Sequence, residues 1–132
     1  MAAYPFCRET GGVKMADIKK EWLIDRAEYM LAEIEDEINR LQMQIEKDTI
    51  AVNRMEDQFS ASEEDFYIAA IDAGLDEREA AMQRDDLYAA HINDPTLVNL
   101  KQCIEYNKRR AVALKQDREI YLFYLRQNEE EQ

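Results

Sequence analysis

The side chains that most often act as nucleophiles, general bases or metal ligands are scarce in this 132-residue sequence. It has one histidine, His91, two serines, Ser60 and Ser62, and two cysteines, Cys7 and Cys103. A zinc site usually takes four ligands, and a di-metal helical bundle uses two Glu-x-x-His motifs. Neither set is available, and no glycine-rich phosphate loop is present. We therefore expect a non-enzymatic protein with no catalytic residue, metal or cofactor.

The same few residues have structural interpretations. His91 lies in "YAAHIND", where a core or capping role is expected, and the two serines precede acidic residues as helix caps do. The cysteines are far apart and form no CxxC motif, so no disulfide is expected in a reducing compartment. The acidic runs "EIEDE" and "ASEEDF" are interpreted as solvated charge. A helix-turn-helix around Gly74 would present an acidic reading helix, which DNA phosphates would repel.

The charge is strongly negative and unevenly distributed. The net charge is −12; residues 1–94 carry ten basic and 23 acidic side chains, and residues 95–126 carry seven basic and three acidic ones. This acidity argues against direct nucleic-acid binding but permits an imitation of nucleic acid. The asymmetry itself indicates interaction with a partner.

The composition and the small number of glycine and proline residues predict an all-α fold. Only three glycines and two prolines interrupt the chain, and no alternating β-branched run is present. We predict a long helix over 17–58, a short one over 62–73 capped by Ser60 or Ser62, and another from Asp76 to Ile92. A second long helix over 95–128 begins with an Asp94 cap and Pro95 at the first helical position. The predicted domains are an N-terminal arm (1–16), a helical domain (17–128) and an acidic tail (129–132).

Both long helices carry a heptad stripe, whose seam positions are labelled a and d. In the first helix ten of eleven stripe positions are apolar, and the exception is an aspartate. They are Ile24, Ala27, Leu31, Ile34, Ile38, Leu41, Ile45, Asp48, Val52, Met55 and Phe59. In the last helix the stripe is Leu97, Leu100, Ile104, Asn107, Ala111, Leu114, Arg118, Tyr121 and Leu125.

The charges beside these stripes predict how the helices pair. The first helix has glutamates at e, such as Glu28, Glu35 and Glu56, whereas the last helix has lysines there, such as Lys101 and Lys108. Reversing one helix places e opposite e and so joins opposite charges. The predicted fold is two long helices forming an antiparallel coiled-coil hairpin, linked by two short helices.

Asp48 is predicted to fix the register of this pairing. A buried carboxylate is costly unless it is paired or reaches water. Antiparallel packing brings it near "NKRR", so Asn107, Arg109 or Arg110 is its expected partner. The alternative is local splaying of the helices that leaves Asp48 solvated.

Aromatic residues are in excess at one end of the predicted hairpin. "EWLIDRAEYML" and "IYLFYLRQN" place apolar side chains all round their helices, more than one seam can bury. We predict a partner or self-association surface formed by Trp22, Tyr29, Tyr121, Phe123 and Tyr124. In the alternative, Tyr4 and Phe6 of the arm cover these residues.

The expected function follows from these patterns. No apolar run approaches the ~20 residues of a membrane span, and the N-terminal sequence lacks the apolar region of a signal peptide. We expect a cytoplasmic structural or assembly protein that binds other proteins or itself. A bacteriophage virion component or assembly factor, in the host cytoplasm or the virion, suits its size and acidity. The alternative is an acidic nucleic-acid mimic that inhibits a host enzyme, of the anti-restriction or anti-CRISPR type.

Overall fold

Three α-helices account for all the regular structure in the part of the chain that the computed structural model describes, residues 15–130. Helix α1 is Met15–Asp72, α2 is Glu77–Ile92 and α3 is Pro95–Glu130. The all-α prediction is confirmed. The linking segment contains one short helix rather than two. Most of the predicted arm, with Tyr4 and Phe6, lies outside the described residues, as do residues 131–132 of the predicted acidic tail.

The predicted end of the first helix near Gln58 is wrong, because α1 continues without a break to Asp72. Ser60 and Ser62 are exposed residues of that helix, not caps. A serine costs only about 0.5 kcal/mol relative to alanine within a helix, and no glycine or proline occurs between residues 58 and 73 to stop it. The cap-like pattern alone therefore does not end the helix.

The turn between α1 and α2 follows the sequence prediction. Gly74 has φ 99°, in the left-handed region that glycine adopts without a steric penalty. The Leu75 N–H donates to the Ala70 carbonyl at 3.1 Å and the Gly74 N–H to the Ile71 carbonyl at 3.0 Å, which is the Schellman pattern. Helix α2 then starts at its predicted cap, where an Asp76 carboxylate oxygen accepts from the backbone N–H of Glu79 at 2.8 Å.

The start of α3 is also as predicted. Asp94 accepts from the backbone N–H groups of Thr96 at 3.0 Å and Leu97 at 3.1 Å. Pro95 occupies the first helical position, where its missing N–H removes no helical hydrogen bond.

The chain divides into two compact units. The central unit is Arg40–Ala111, and the terminal unit includes the described residues 15–39 and 112–130. The buried apolar residues of the terminal unit are Ala27, Ile34 and Ile38, and those of the central unit are Leu41, Val52, Ala80, Leu97 and Ala111. Each unit therefore has a core of its own.

The heptad stripes are confirmed by burial. All eleven predicted positions on α1 and all nine on α3 are buried or half-buried. Acidic residues beside the α1 stripe also contact basic residues of α3. In the terminal unit Arg118 Nη1 lies 3.2 Å from Glu35 Oε1, and in the central unit Lys101 Nζ lies 3.1 Å from Glu56 Oε2. Because both carboxylates are about half exposed, each pair contributes only about 0–1 kcal/mol.

The buried stripe of α1 changes its spacing after Phe59. Glu63 and Tyr67 are the next half-buried residues, so the stripe advances in steps of four instead of alternating steps of three and four. Phe66, which a continued heptad would place in the seam, is 39% exposed. The residues along this part of α1 contact α2. None of the helices within residues 15–130 has the length and apolarity required to cross a membrane.

Candidate interaction surface

The outer face of α1 in the terminal unit carries two exposed aromatic residues. Trp22 and Tyr29 are seven residues apart, at the heptad f position, which is opposite the a and d seam. Their exposed fractions are 45% and 55%. The Arg26 guanidinium carbon lies 5.5 Å from the centre of the Tyr29 ring, a cation–π distance. These three side chains form a continuous stripe, because residues separated by three and four positions are neighbours on a helix.

The aromatic residues of α3 are divided between two environments. Phe123, also at f, is 59% exposed, and its neighbour Ile120 is 66% exposed. Tyr121 and Tyr124 are half-buried; Tyr121 is a seam residue and Tyr124 flanks the seam. The five predicted interface residues therefore do not share one patch. Trp22 and Tyr29 lie on the outer face of α1, Phe123 lies on the outer face of α3, and the two tyrosines border the seam.

Four charged side chains accompany the exposed aromatic residues. Arg26 and Glu33 lie on α1, seven residues apart, and Glu119 and Arg126 lie on α3, also seven apart. All four are exposed, and no ion pair joins any of them to another of the described residues. Their charges are therefore available to a partner.

The predicted register group lies in the central unit. Asp48 is 9% exposed, so the carboxylate is buried in the seam as its heptad position requires. Its Oδ1 accepts a hydrogen bond from Gln44 Nε2 at 2.9 Å, one turn earlier on α1. Asn107 is half-buried on α3, while Arg109 and Arg110 are exposed, and Arg109 lies 3.7 Å from Glu105 on its own helix. A role for Asp48 in fixing the register stays a prediction.

His91 belongs to a cluster that the sequence did not indicate. Its Nδ1 lies 2.6 Å from Glu63 Oε2 on α1, and its ring stacks on Phe59 with centroids 4.2 Å apart and an interplanar angle of 6°. The His91 and Glu63 side chains are only 19% and 14% exposed. Both border an open groove of about 170 Å³ that Leu97 and Lys101 of α3 also line. These contacts attach α2 to α1.

The one sequence feature related to this cluster is the seven-residue spacing of two α2 residues that contact α1. His91 follows Arg84 by seven residues, and the Arg84 guanidinium carbon lies 4.6 Å from the centre of the Tyr67 ring. The two α2 residues thus share one face. Their partners, Glu63 and Tyr67, lie on the part of α1 beyond Phe59, which the cap-like serines assign to a separate helix.

The described residues contain no group of three or more histidine, cysteine, aspartate or glutamate side chains placed to hold a metal ion. Cys103 is an exposed free thiol, and Cys7 lies outside the described residues. Comparison with models of known protein families, with curated proteins and with solved structures gave no match.

Proposed function

We propose that this chain is a non-enzymatic coiled-coil assembly protein that acts through protein–protein contacts. Its α1 and α3 helices would form an antiparallel hairpin, and the outward aromatic side chains of the terminal unit would bind its partner. Such a protein suits a larger assembly. A bacteriophage virion or its assembly pathway is the setting we propose, on the grounds of size, acidity and helical content.

Contacts within the terminal unit support the antiparallel arrangement. Ile24 and Glu28 of α1 line the same open cavity, of about 320 Å³, as Leu125 and Asn128 of α3. Farther along α1, Glu35 meets Arg118. Residue numbers thus rise on one helix as they fall on the other, as in an antiparallel pair.

The observation that carries the proposal is the exposure of Trp22, Tyr29 and Phe123. Each is about half exposed, although these helices bury aliphatic residues such as Ile34 and Ile38. Tryptophan and tyrosine are enriched among the residues that dominate binding energy at protein interfaces. Large aromatic side chains that stay about half exposed on the outer faces of two helices are typical of a surface that binds a partner.

A second candidate function, imitation of nucleic acid, is favoured by one region of the central unit. Residues 56–94 contain twelve acidic and two basic residues, and most of the acidic side chains are exposed. Such a surface can occupy a channel that normally holds a nucleic-acid backbone. The basic residues of 95–126 favour the assembly proposal, because a mimic benefits from an uninterrupted negative surface.

Photo-crosslinking from chosen positions separates the two candidates. A photoreactive phenylalanine analogue is placed at Phe123 in one variant and at Glu64, an exposed acidic position of α1, in a matched variant. Both full-length chains are irradiated in extracts of the native cells. An assembly protein is expected to give protein adducts from position 123 and few from position 64.

Salt provides the matching control. Adducts at position 123 should persist in 1 M salt, where the Debye length is about 3 Å, because aromatic contacts are not screened. Adducts that form only at position 64, disappear at high salt and contain a nucleic-acid enzyme would favour the mimic instead. If neither position yields a protein adduct, the assembly proposal is wrong.

A further inference from the structure

The outer faces of α1 and α3 in the terminal unit carry charges in complementary order. Along α1 the order is positive then negative, with Arg26 followed by Glu33. Along α3 it is negative then positive, with Glu119 followed by Arg126. Both pairs have a seven-residue spacing, which is two helical turns, so opposite charges on two such helices can align at two levels at once.

Aromatic side chains alternate with these charges. On α1 the stripe is Trp22, Arg26, Tyr29 and Glu33, with steps of four, three and four residues. On α3 the stripe is Gln116, Glu119, Phe123 and Arg126, with steps of three, four and three. All eight residues are exposed. Steps of this kind place side chains along one face of a helix, as a second helix requires for packing.

We propose that the outer stripe of α1 in one copy docks in parallel on the outer stripe of α3 in a second copy. This deepens the proposed assembly function and rests on it. The docked pairs would be Trp22 with Gln116, Arg26 with Glu119, Tyr29 with Phe123, and Glu33 with Arg126. The two aromatic residues would exclude water at the centre of the contact, and the charge pairs would border it.

The charges also select the orientation. In an antiparallel arrangement with Arg26 still opposite Glu119, the numbers of any two residues that face each other would add to 145. Lys19 would then face Arg126, a like-charge pair, and Glu33 would face the apolar Val112. The parallel arrangement instead joins Arg26 with Glu119 and Glu33 with Arg126 together. No antiparallel register joins both pairs, because their residue numbers add to 145 and to 159, and unpaired charges disfavour a wrong partner geometry.

The contact joins two different faces of the chain and is therefore heterologous. A copy bound through α1 still presents its α3 stripe, so assembly can continue beyond a dimer. Eleven residues separate Trp22 and Glu33, a length of roughly 16 Å along a helix. A contact this short buries less surface than the ~800 Å² per partner of a standard interface. The addition of each copy is therefore weak and depends on protein concentration.

Mixing two blocked variants tests the two-face arrangement. Tyr29→Glu blocks the α1 stripe, and Phe123→Glu blocks the α3 stripe. Both residues are more than half exposed, so the fold should be retained, and the helicity of each variant is checked by circular dichroism. In sedimentation velocity, the wild type is expected to form larger species as its concentration rises, and each variant alone is expected to remain monomeric.

An equimolar mixture of these variants should form dimers and nothing larger, since one variant keeps an intact α1 stripe and the other an intact α3 stripe. A mixture that stays monomeric at concentrations where the wild type associates would overturn the proposal. So would a mixture that assembles as far as the wild type does.

A charge exchange tests the predicted pairs. Arg26→Glu should weaken self-association about 5-fold or more, because it replaces an attraction with a repulsion. Adding Glu119→Arg to the same chain should restore association to within about 3-fold of the wild type. Arg54→Glu makes the same charge change at an exposed position of the central unit and should alter association less than about 2-fold. Absence of restoration would reject the Arg26–Glu119 pair.

The proposed function and this inference can fail separately. If the wild type is monomeric at every concentration, docking of a second copy is wrong. Adducts of a different protein at position 123 would then still support the assembly function.

Discussion

Within the central unit, α1 contacts two partners through different chemistry. Towards α3 the stripes contain aliphatic residues that are nearly fully buried, among them Leu41, Val52 and Leu97. Towards α2 the contacts are made by rings and charges, with His91 stacked on Phe59 and hydrogen-bonded to Glu63. Ala80 is the one buried residue of α2.

The α1–α3 and α1–α2 contacts therefore contribute differently to the free energy of unfolding. Aliphatic burial contributes roughly in proportion to the area removed from water and involves many residues of a long stripe. The α2 contact depends on a few side chains with defined geometry. Elements with few buried apolar contacts open locally at a lower free energy than the core. We therefore expect α2 to exchange its amide hydrogens faster than the seam helices.

The largest effect is expected in the aliphatic seam. Leu41 is 3% exposed, and Leu41→Ala should lower the free energy of unfolding by about 2–5 kcal/mol, because it removes buried methyl groups and leaves a cavity. Urea denaturation followed by circular dichroism measures the loss. Met43→Ala is a matched control on the same helix, since Met43 is 71% exposed, and should change stability by less than about 0.5 kcal/mol. Equal losses for the two variants would contradict the seam assignment.

A smaller and local effect is expected at α2. His91→Ala removes the hydrogen bond to Glu63 and the stack on Phe59 and should cost about 1–3 kcal/mol. The loss should appear in hydrogen exchange as faster exchange over 77–92, with little change over 97–125. Met82→Ala, at an exposed position of α2 outside the His91 groove, serves as the control. If His91→Ala lowers protection equally in all helices, α2 is not a separate opening unit.

The smallest effect is expected where a polar contact interrupts the aliphatic seam. Asp48→Leu should raise the free energy of unfolding by about 1 kcal/mol, because a buried polar group is replaced by an apolar one of similar size. The variant should also show a mixture of registers or oligomers. Thermal unfolding and light scattering measure the two changes, and Asp48→Asn, which keeps an acceptor for Gln44, is the control. A homogeneous assembly identical to the wild type would refute the register role.

The seam was predictable from sequence because its signal repeats. Ile34, Ile38 and Leu41 recur at the spacing that places them on one helix face, and each is buried. The caps at Asp76 and Asp94 and the glycine turn were predictable too, since each depends on a local residue type. The end of α1 at Asp72 was not predictable in the same way. Ser60 and Ser62 resemble caps, but no glycine or proline between residues 58 and 73 stops the helix there.

The candidate surface was predictable in composition but not in arrangement. The sequence indicates more aromatic residues near Trp22 and Phe123 than one seam can bury. It does not indicate how they divide between outward and seam-flanking positions, because the heptad phase of each residue matters more than its position along its helix. The partners of His91 depend on contacts between residues 28 positions apart, a separation at which local patterns carry no information.

The two successive steps of four residues from Phe59 to Tyr67 change the phase of the buried stripe on α1. A four-residue insertion into a heptad series relaxes the left-handed twist locally and resets the phase of the stripe. Whole turns added to α1 beyond Tyr67 would therefore have to be matched by whole turns in α2 to leave the heptads before Phe59, and their contacts with α3, in place. We therefore expect matched extensions of the α1 and α2 ends around Gly74 to disturb the seam less than a single-residue insertion before Phe59, which would shift the heptad phase.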